Sequence, residues 1–428
     1  MKTLMNSRFY GTRKVPGDKS ITHRSLMFAS LAKGISHVKD PLLSADTYAT
    51  KACMESLGVE IVAEPEGWKV DSPGRKHLQS PNAPLYTGNS GTTARLLTGM
   101  IAGIGLEAEI IGDASISKRP MDRIKAPLEQ MGARIALKND KYPPIKISKA
   151  ELSPISYTMP VASAQVKSAL LLAGLFVEGK SVITEPSPSR NHSELMLAEF
   201  GADISVDDHV ITLDGGKELS PADVVVPGDI SSAAFLLVLA TLKPGSDITI
   251  ENVSLNETRS GIIDVLEMME ADITVEPTST TGEPIGNIRA VYTPKLKGFE
   301  ISGALIPRLI DEIPILTLLA AHSDGPCTVR DAVELRYKET DRIRAVIDEL
   351  SKFGFEFTEY NDGFTVSLEK IHLAEGVSMR GYGDHRIIMM LIVLGIVMDQ
   401  PLDIDDMAAI DISYPDFMAD LEALRKDA

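Results

Sequence analysis

Six times along this chain a short polar loop runs directly into a helix-length apolar stretch. The loops begin at Gly17, Gly88, Val161, Val226, Arg308 and Gly383. The stretches behind them include Leu26–Ala32, Leu96–Ile101, Ala169–Leu175, Ala233–Ala240, Ile313–Ala321 and Ile387–Met398. A spacing of about 65–80 residues marks an internally repeated architecture. A helix start offers free N–H groups and the positive end of the helix dipole, so it attracts anions. The repeat therefore predicts a set of anion-attracting corners, several of them carrying Lys or Arg.

Each repeat reads as strand, helix, strand, helix and strand pair, a βαβαββ unit. In the second, Ala108–Ile111 has a strand pattern and Pro120–Met131 a helical one, with Pro120 at a permitted first position and Gly132 as its stop. Short strands over Arg134–Leu137 and Ile145–Ile147 follow. Gly58, Gly201 and Gly354 end the helical patterns Thr47–Leu57, Ser193–Phe200 and Arg342–Phe353 in the same way. The pattern Gly261–Met269 lacks its Gly and runs into Glu270, Ala271 and Asp272. Thr278–Pro284 reads as a surface turn between strands. A unit of this kind cannot bury its apolar face alone, so three should pack around shared central helices. The expected fold is α/β (α+β), with two similar domains of three units each. One is discontinuous, over 1–15 plus 229–428, and the other is inserted, over 16–228. All six loops would face a cleft between them, with Gly228 and Asp229 as the hinge.

The bulk numbers narrow the function. At 428 residues two domains are a better expectation than one. No apolar run reaches membrane-spanning length, and Met1–Asn6 contains no signal-like apolar segment. Cys53 and Cys327 cannot form a disulfide framework and read as small core residues, which favours a cytoplasmic location. A formal net charge of −17 argues against nucleic acid or an anionic membrane as partner. An acidic protein that binds anions must gather positive charge locally, and the loops do so with Lys19, Arg24, Arg95, Lys118, Arg119, Lys167, Arg190, Lys338, Arg342 and Arg386.

Gly17–Ser20 is no phosphate-binding P-loop, because Asp18 stands where that motif needs Gly. Lys19, Ser20 and Arg24 still crowd one helix start, where cations cost about 0.3–1 kcal/mol each unless an anion shares the site. Gly88–Arg95 is a second corner, in which Gly91 permits close backbone approach. Arg119 stands just before a helix and can hold a carboxylate or phosphate with paired hydrogen bonds. Ser163 and Gln165 suit a phosphate or polyol, although an N-cap explains Ser163 as simply. Arg190 opens the next helix. Asp311 and Glu312 could be ordinary dipole partners, and Lys338, Glu339 and Arg342 an exposed ion-pair ladder at helical spacing. Asp384, His385 and Arg386 precede the most apolar helix, so they should face a cleft.

Taken together, Pro16–Arg24, Leu85–Arg95, Gly112–Met121, Ser163–Gln165, Arg336–Arg342 and Gly383–Arg386 resemble, in order and spacing, the signatures of the 5-enolpyruvylshikimate-3-phosphate synthase family. The resemblance covers the whole chain and implies the inside-out barrel of the enolpyruvyl transferases. It implies transfer of the enolpyruvyl group of phosphoenolpyruvate to the 5-hydroxyl of shikimate 3-phosphate, with release of phosphate, in aromatic amino acid biosynthesis. It implies no cofactor, no metal and a monomer. By the same resemblance Lys19 contacts both substrates. Ser20, Arg24, Ser163, Gln165, Arg190, Asp311 and Lys338 hold shikimate 3-phosphate, and Gly91, Arg119, Gln165, Arg342 and Arg386 hold phosphoenolpyruvate. Asp311 acts on the 5-hydroxyl proton and Glu339 on the proton at the methylene carbon, with Lys19 as the third catalytic group. With cations in both halves of the chain, anionic substrates should draw the domains together.

The chain departs from the herbicide-sensitive branch. Ile412–Asp416 lacks the Lys expected before the aromatic-Pro-Asp triplet, Ala164 replaces a Ser, and Ser90, Thr93 and Leu96 also differ, so the chain resembles the class II branch. Gly91 leaves room for glyphosate, the inhibitor of the family. Two alternatives stand beside this reading. UDP-N-acetylglucosamine enolpyruvyl transferase shares the architecture but carries a Cys where this chain has Ala114. A non-catalytic sugar-phosphate sensor would not need Asp311 and Glu339 together.

Overall fold

The computed structural model describes residues 2–280, 282–368 and 377–427. The chain divides into two compact units, Met1–Pro16 with Pro227–Ala428, and Gly17–Val226. Each has its own hydrophobic core.

In the unit Gly17–Val226 one sheet pattern occurs three times. Val224–Val225, Gly34–Lys39, Gly67–Ser72 and Glu60–Glu64 form the first sheet in that order. Leu85–Tyr86, Ala108–Ile111, Tyr142–Ser148 and Arg134–Lys138 form the second, and Ser156–Thr158, Gly179–Thr184, Val210–Gly215 and Asp203–Asp207 the third. In each, the first pair is parallel and the others antiparallel. The helices Lys19–Leu31, Gly91–Ile104 and Ala164–Gly174 fill the core of this unit. The middle one approaches the third so closely that a Cβ on Gly99 would lie 2.1 Å from the Ala169 carbonyl oxygen. Only Gly permits that approach.

The other unit repeats the pattern with variations. Its first sheet has the order Asp272–Ser279, Ile285–Val291, Asp247–Ser254, Ser7–Arg13 and Arg425–Asp427, and its second Glu300–Ile301, Cys327–Val329, Gly363–Ser367 and Glu356–Tyr360. Ser378–Met379 pairs in parallel with Asp403–Ile404. The helix Ile230–Leu242 is buried at every residue and His385–Val397 at nearly every one. A helix apolar all round belongs inside.

The Gly stops behave as read: Gly58, Gly132, Gly201 and Gly354 all have positive φ, and Glu270 takes φ +57° where the fourth unit lacks its Gly. Three expectations need correction. Pro120 lies ahead of its helix, which runs Asp122–Gln130 with Met121 as N-cap, because Pro120 and its neighbours are held by the preceding 3-10 turn Ile116–Lys118. The apolar stretch Ile313–Ala321 is not one α-helix. It is helical over Ile313–Leu316 and continues as a 3-10 segment Thr317–His322, while Arg308 lies in a short helix of its own, Ile306–Leu309. Pro314 has no N–H to donate to the Ile310 carbonyl, so Ile306–Leu309 does not run on into Ile313–Leu316 and a turn falls at Ile310, Asp311 and Glu312. Lys338 and Glu339 are not helical either, since that helix starts at Arg342 with Asp341 as its cap. The turn predicted over Thr278–Pro284 shrinks to 280–284, and Thr281 lies outside the described residues. Cys53 and Cys327 are buried and unpaired with each other, and burial pushes the Cys53 thiol up to about 12.

Candidate active site

Five of the six central helix starts carry a side-chain cap. Asp18, Ser90, Ser163, Asp229 and Asp384 accept from Ile21, Thr93, Val166, Ser231 and Arg386 N–H groups. These caps satisfy part of the free N–H set. The attraction for anions is therefore carried mainly by Lys and Arg side chains, and each unit gathers its own group.

In the unit Gly17–Val226, Lys19 Nζ lies 3.2 Å from Asp46 Oδ2. Arg24, one turn on and 2% exposed, donates to the Ser20 carbonyl at 2.9 Å and to the hydroxyls of Ser168 and Ser193 at 2.8 Å each. Buried His23 sits between them, and its Nδ1 is 2.7 Å from Thr50 Oγ1. Burial first, then the charges of Lys19 and Arg24, hold the imidazole well below its usual range. It is neutral at pH 7, as expected for a base in a positive field.

The second and third corners are tied together. Arg95 Nη1 donates to Gln165 Oε1 at 2.6 Å and its Nη2 to the Pro120 carbonyl at 3.2 Å, while Gln165 Nε2 donates to Thr92 Oγ1 at 3.1 Å. A Cβ on Gly91 would stand 2.8 Å from Arg95 Nη1 and 3.4 Å from Arg119 Nη1. Gly91, Arg119 and Gln165 are thus brought to one place around Arg95. Gly91→Ala should push Arg95 off Gln165 without harming the core. The loss of one charge-assisted hydrogen bond should raise the KM for an anionic substrate bound there by about tenfold. Steady-state kinetics check this, and an unchanged KM would refute it.

Ser163 Oγ caps its helix at 3.4 Å. Arg190 is half-buried just ahead of the helix His192–Glu199. Lys167, counted among the loop cations, is corrected. It is 1% exposed and neutralised by Glu185 and Glu194 at 2.7 and 2.6 Å. A charge so deep in an apolar helix is stable only with carboxylates beside it.

In the other unit, Asp311 Oδ1 accepts from Lys338 Nζ and Arg342 Nη1, both at 3.0 Å. Arg342 also donates to Glu339 Oε2 at 2.8 Å and to Asp384 Oδ2 at 2.8 Å. Burial alone opposes its charge, but Asp384, Glu339 and Asp311 outweigh burial and hold the guanidinium above its ordinary range. The reading of an exposed ladder is therefore overturned, since Arg342 is 2% exposed at the centre of three carboxylates. Arg386 is buried, donates to the Ser231 carbonyl at 2.9 Å and has its guanidinium 5.9 Å from the Phe235 ring centroid.

Reading by sequence missed Arg259, whose Nη1 lies 4.0 Å from Asp311 Oδ2. A signal was present. Arg119, Arg190, Arg259 and Arg342 each stand at, or within three residues before, the start of an outer helix in successive units. Among the described residues no cluster of three or more His, Cys, Asp or Glu could hold a metal ion, and no helix is long and apolar enough to cross a membrane.

Two repeated α/β units, each with cations and hydrogen-bond donors gathered at its central helix starts, define a protein class built to handle anionic substrates. The family model EPSP synthase (3-phosphoshikimate 1-carboxyvinyltransferase) matches residues 5–421. A 3-phosphoshikimate 1-carboxyvinyltransferase of Bacillus pumilus is 45% identical over 428 residues, all of both chains, and one of Staphylococcus carnosus is 44% identical over 97% of this chain and 96% of its own. The solved EPSP synthase of Acinetobacter baumannii superposes with a TM-score of 0.87 at 39% identity, covering 98% of this chain and 96% of that one. The enolpyruvyl transferase NikO of Streptomyces tendae shares the fold, with a TM-score of 0.80 at 17% identity, covering 99% of this chain and 98% of its own. The chain belongs to the EPSP synthase family, and it is a transferase.

Proposed function

We propose that this chain transfers the enolpyruvyl group of phosphoenolpyruvate to the 5-hydroxyl of shikimate 3-phosphate, releasing phosphate. The observation that carries the reading is Asp311, a carboxylate held between Lys338 and Arg342 with Glu339 on the same guanidinium. An enol ether carbon is a poor electrophile until its methylene carbon is protonated, so the chemistry needs paired proton donors and acceptors beside cations. In our reading Glu339 delivers the proton to the methylene carbon while Asp311 takes the 5-hydroxyl proton. The 5-oxygen then bonds to the former enol carbon. In the second step the methyl group returns a proton, the carbon–oxygen bond to phosphate breaks and the double bond reforms.

Lys19 would serve both substrates. Ser20, Arg24, Ser163, Gln165, Arg190, Asp311 and Lys338 would hold shikimate 3-phosphate, and Gly91, Arg119, Gln165, Arg342 and Arg386 phosphoenolpyruvate. We further read the protein as a cytoplasmic monomer that needs no cofactor and binds neither nucleic acid nor membrane.

The test is release of phosphate from phosphoenolpyruvate as a function of acceptor. Release should require shikimate 3-phosphate and fall at least about a hundredfold in Lys338→Met, the scale of one charge-assisted contact plus a misplaced base. Equal release with UDP-N-acetylglucosamine, or binding without turnover, would replace this reading by one of the two alternatives.

A further inference from the structure

In the unit Met1–Pro16 with Pro227–Ala428, one side chain outside the assigned set joins the three helix starts. Ser231 is fully buried in the first turn of Ile230–Leu242. Its N–H donates to Asp229 Oδ1 at 2.8 Å, and its carbonyl accepts from Arg386 Nη1 at 2.9 Å. Its hydroxyl accepts from Arg259 Nη2 at 2.6 Å and donates to Glu312 Oε1. Arg259 Nη2 reaches Asp229 Oδ1 as well, at 3.1 Å. The Asp229 start, the broken segment at Asp311 and Glu312, and the Arg386 start all hang on this residue.

We propose that Glu312 is a positioning residue for the phosphoenolpyruvate side of the reaction, acting through its hydrogen bond to Ser231. Glu312 is 1% exposed and directly follows Asp311 at the break in the helix. Its link to Ser231 ties the segment bearing Asp311 to the helix start on which Arg386 rests. Arg386 depends on that seat, because its Nε is buried without a hydrogen-bond partner among the described residues and its Nη1 donates to the Ser231 carbonyl. Asp311 depends on it less, since Lys338 and Arg342 hold it from the other side.

Glu312 serves as a hydrogen-bonding group rather than as a charge. Its Oε2 is buried with no hydrogen-bond partner among the described residues, and a lone hydroxyl poorly supports a buried carboxylate. Burial is the main influence raising its pKa. Asp311 reinforces the rise, while Arg259, Arg386 and the Ser231 bond oppose it.

The inference rests on the proposed placing of Arg386 on phosphoenolpyruvate, and the experiment separates the two. In the full-length protein, Glu312→Gln should keep kcat, both KM values and the pH–rate profile within about threefold of the parent. Glu312→Leu should raise the KM for phosphoenolpyruvate about tenfold, the scale of one hydrogen bond to a charged group, against less than about threefold for shikimate 3-phosphate. Ser231→Ala removes the same bond from the other end, together with the contact from Arg259, and should reproduce that split, which covers the case of a Leu variant that folds poorly. A Gln variant as impaired as the Leu variant would mean that charge is the requirement, and would overturn the proposal. So would a Leu variant with parental constants, or one in which both KM values rise together with a fallen thermal transition. If Arg386→Lys leaves the KM for phosphoenolpyruvate unchanged, the placing of Arg386 fails instead.

Discussion

Asp311→Asn should lower kcat about a thousandfold, within the range for losing a positioned proton-transfer group. The amide keeps the size of the carboxylate and can still accept from Lys338 and Arg342, which now hold Asp311 at 3.0 Å. What it cannot do is take a proton from a hydroxyl. The KM values should therefore change less than about fivefold, the pattern of an interaction used in the transition state rather than in binding. Glu339→Gln tests the partner role. If both variants turn over like the parent, the assignment of proton carriers is wrong even though the family is established.

Arg342→Leu should have the largest structural effect. The guanidinium is 2% exposed and meets Asp311, Glu339 and Asp384. Removing it leaves three carboxylates crowded without their central cation. Breaking a buried ion pair costs about 3–5 kcal/mol. For a unit of this size that lowers the thermal transition by roughly 10 °C. Calorimetry would read the shift. Adding Asp384→Asn to the Leu variant should return part of the stability, because neighbouring charges are not additive. A transition unchanged in Arg342→Leu would mean that the ion cluster contributes little to stability, and that Arg342 serves binding alone.

The repeat, the central helices and most Gly stops were legible in the sequence because they depend on local patterns. Runs such as Ala233–Ala240 admit little but a buried helix, and Gly132 or Gly354 can take the left-handed turn that ends one. The switch from α to 3-10 at Thr317 was not legible from hydrophobicity, which is continuous through Ile313–Ala321. Burial of charge was the hardest feature to read. Lys167 and Arg342 look alike in sequence, as cations near a helix start. Lys167 meets Glu185 and Glu194, which lie further along the chain, whereas Arg342 meets Asp311 and Asp384. Spacing along the chain cannot report those partners. Arg259 is not marked in the sequence because its partners Asp229 and Ser231 lie 30 and 28 residues earlier in the chain.

The first sheet of the unit Gly17–Val226 takes its edge strand from Val224–Val225, the last residues before the chain leaves. In the other unit, Ser7–Arg13 pairs with Asp247–Ser254 and with Arg425–Asp427. During synthesis the N-terminal strand therefore waits unpaired while the whole inserted unit emerges. Domains generally fold as units as they appear. Gly17–Val226 can complete its own core once Val225 has left the ribosome, whereas its companion cannot close until the final residues arrive. The cations Lys19, Arg24 and Arg119 are thus assembled first, and the cluster of Asp311, Glu339 and Arg342 last. An interrupted chain would leave the cations of the inserted unit assembled without the carboxylates of Asp311 and Glu339.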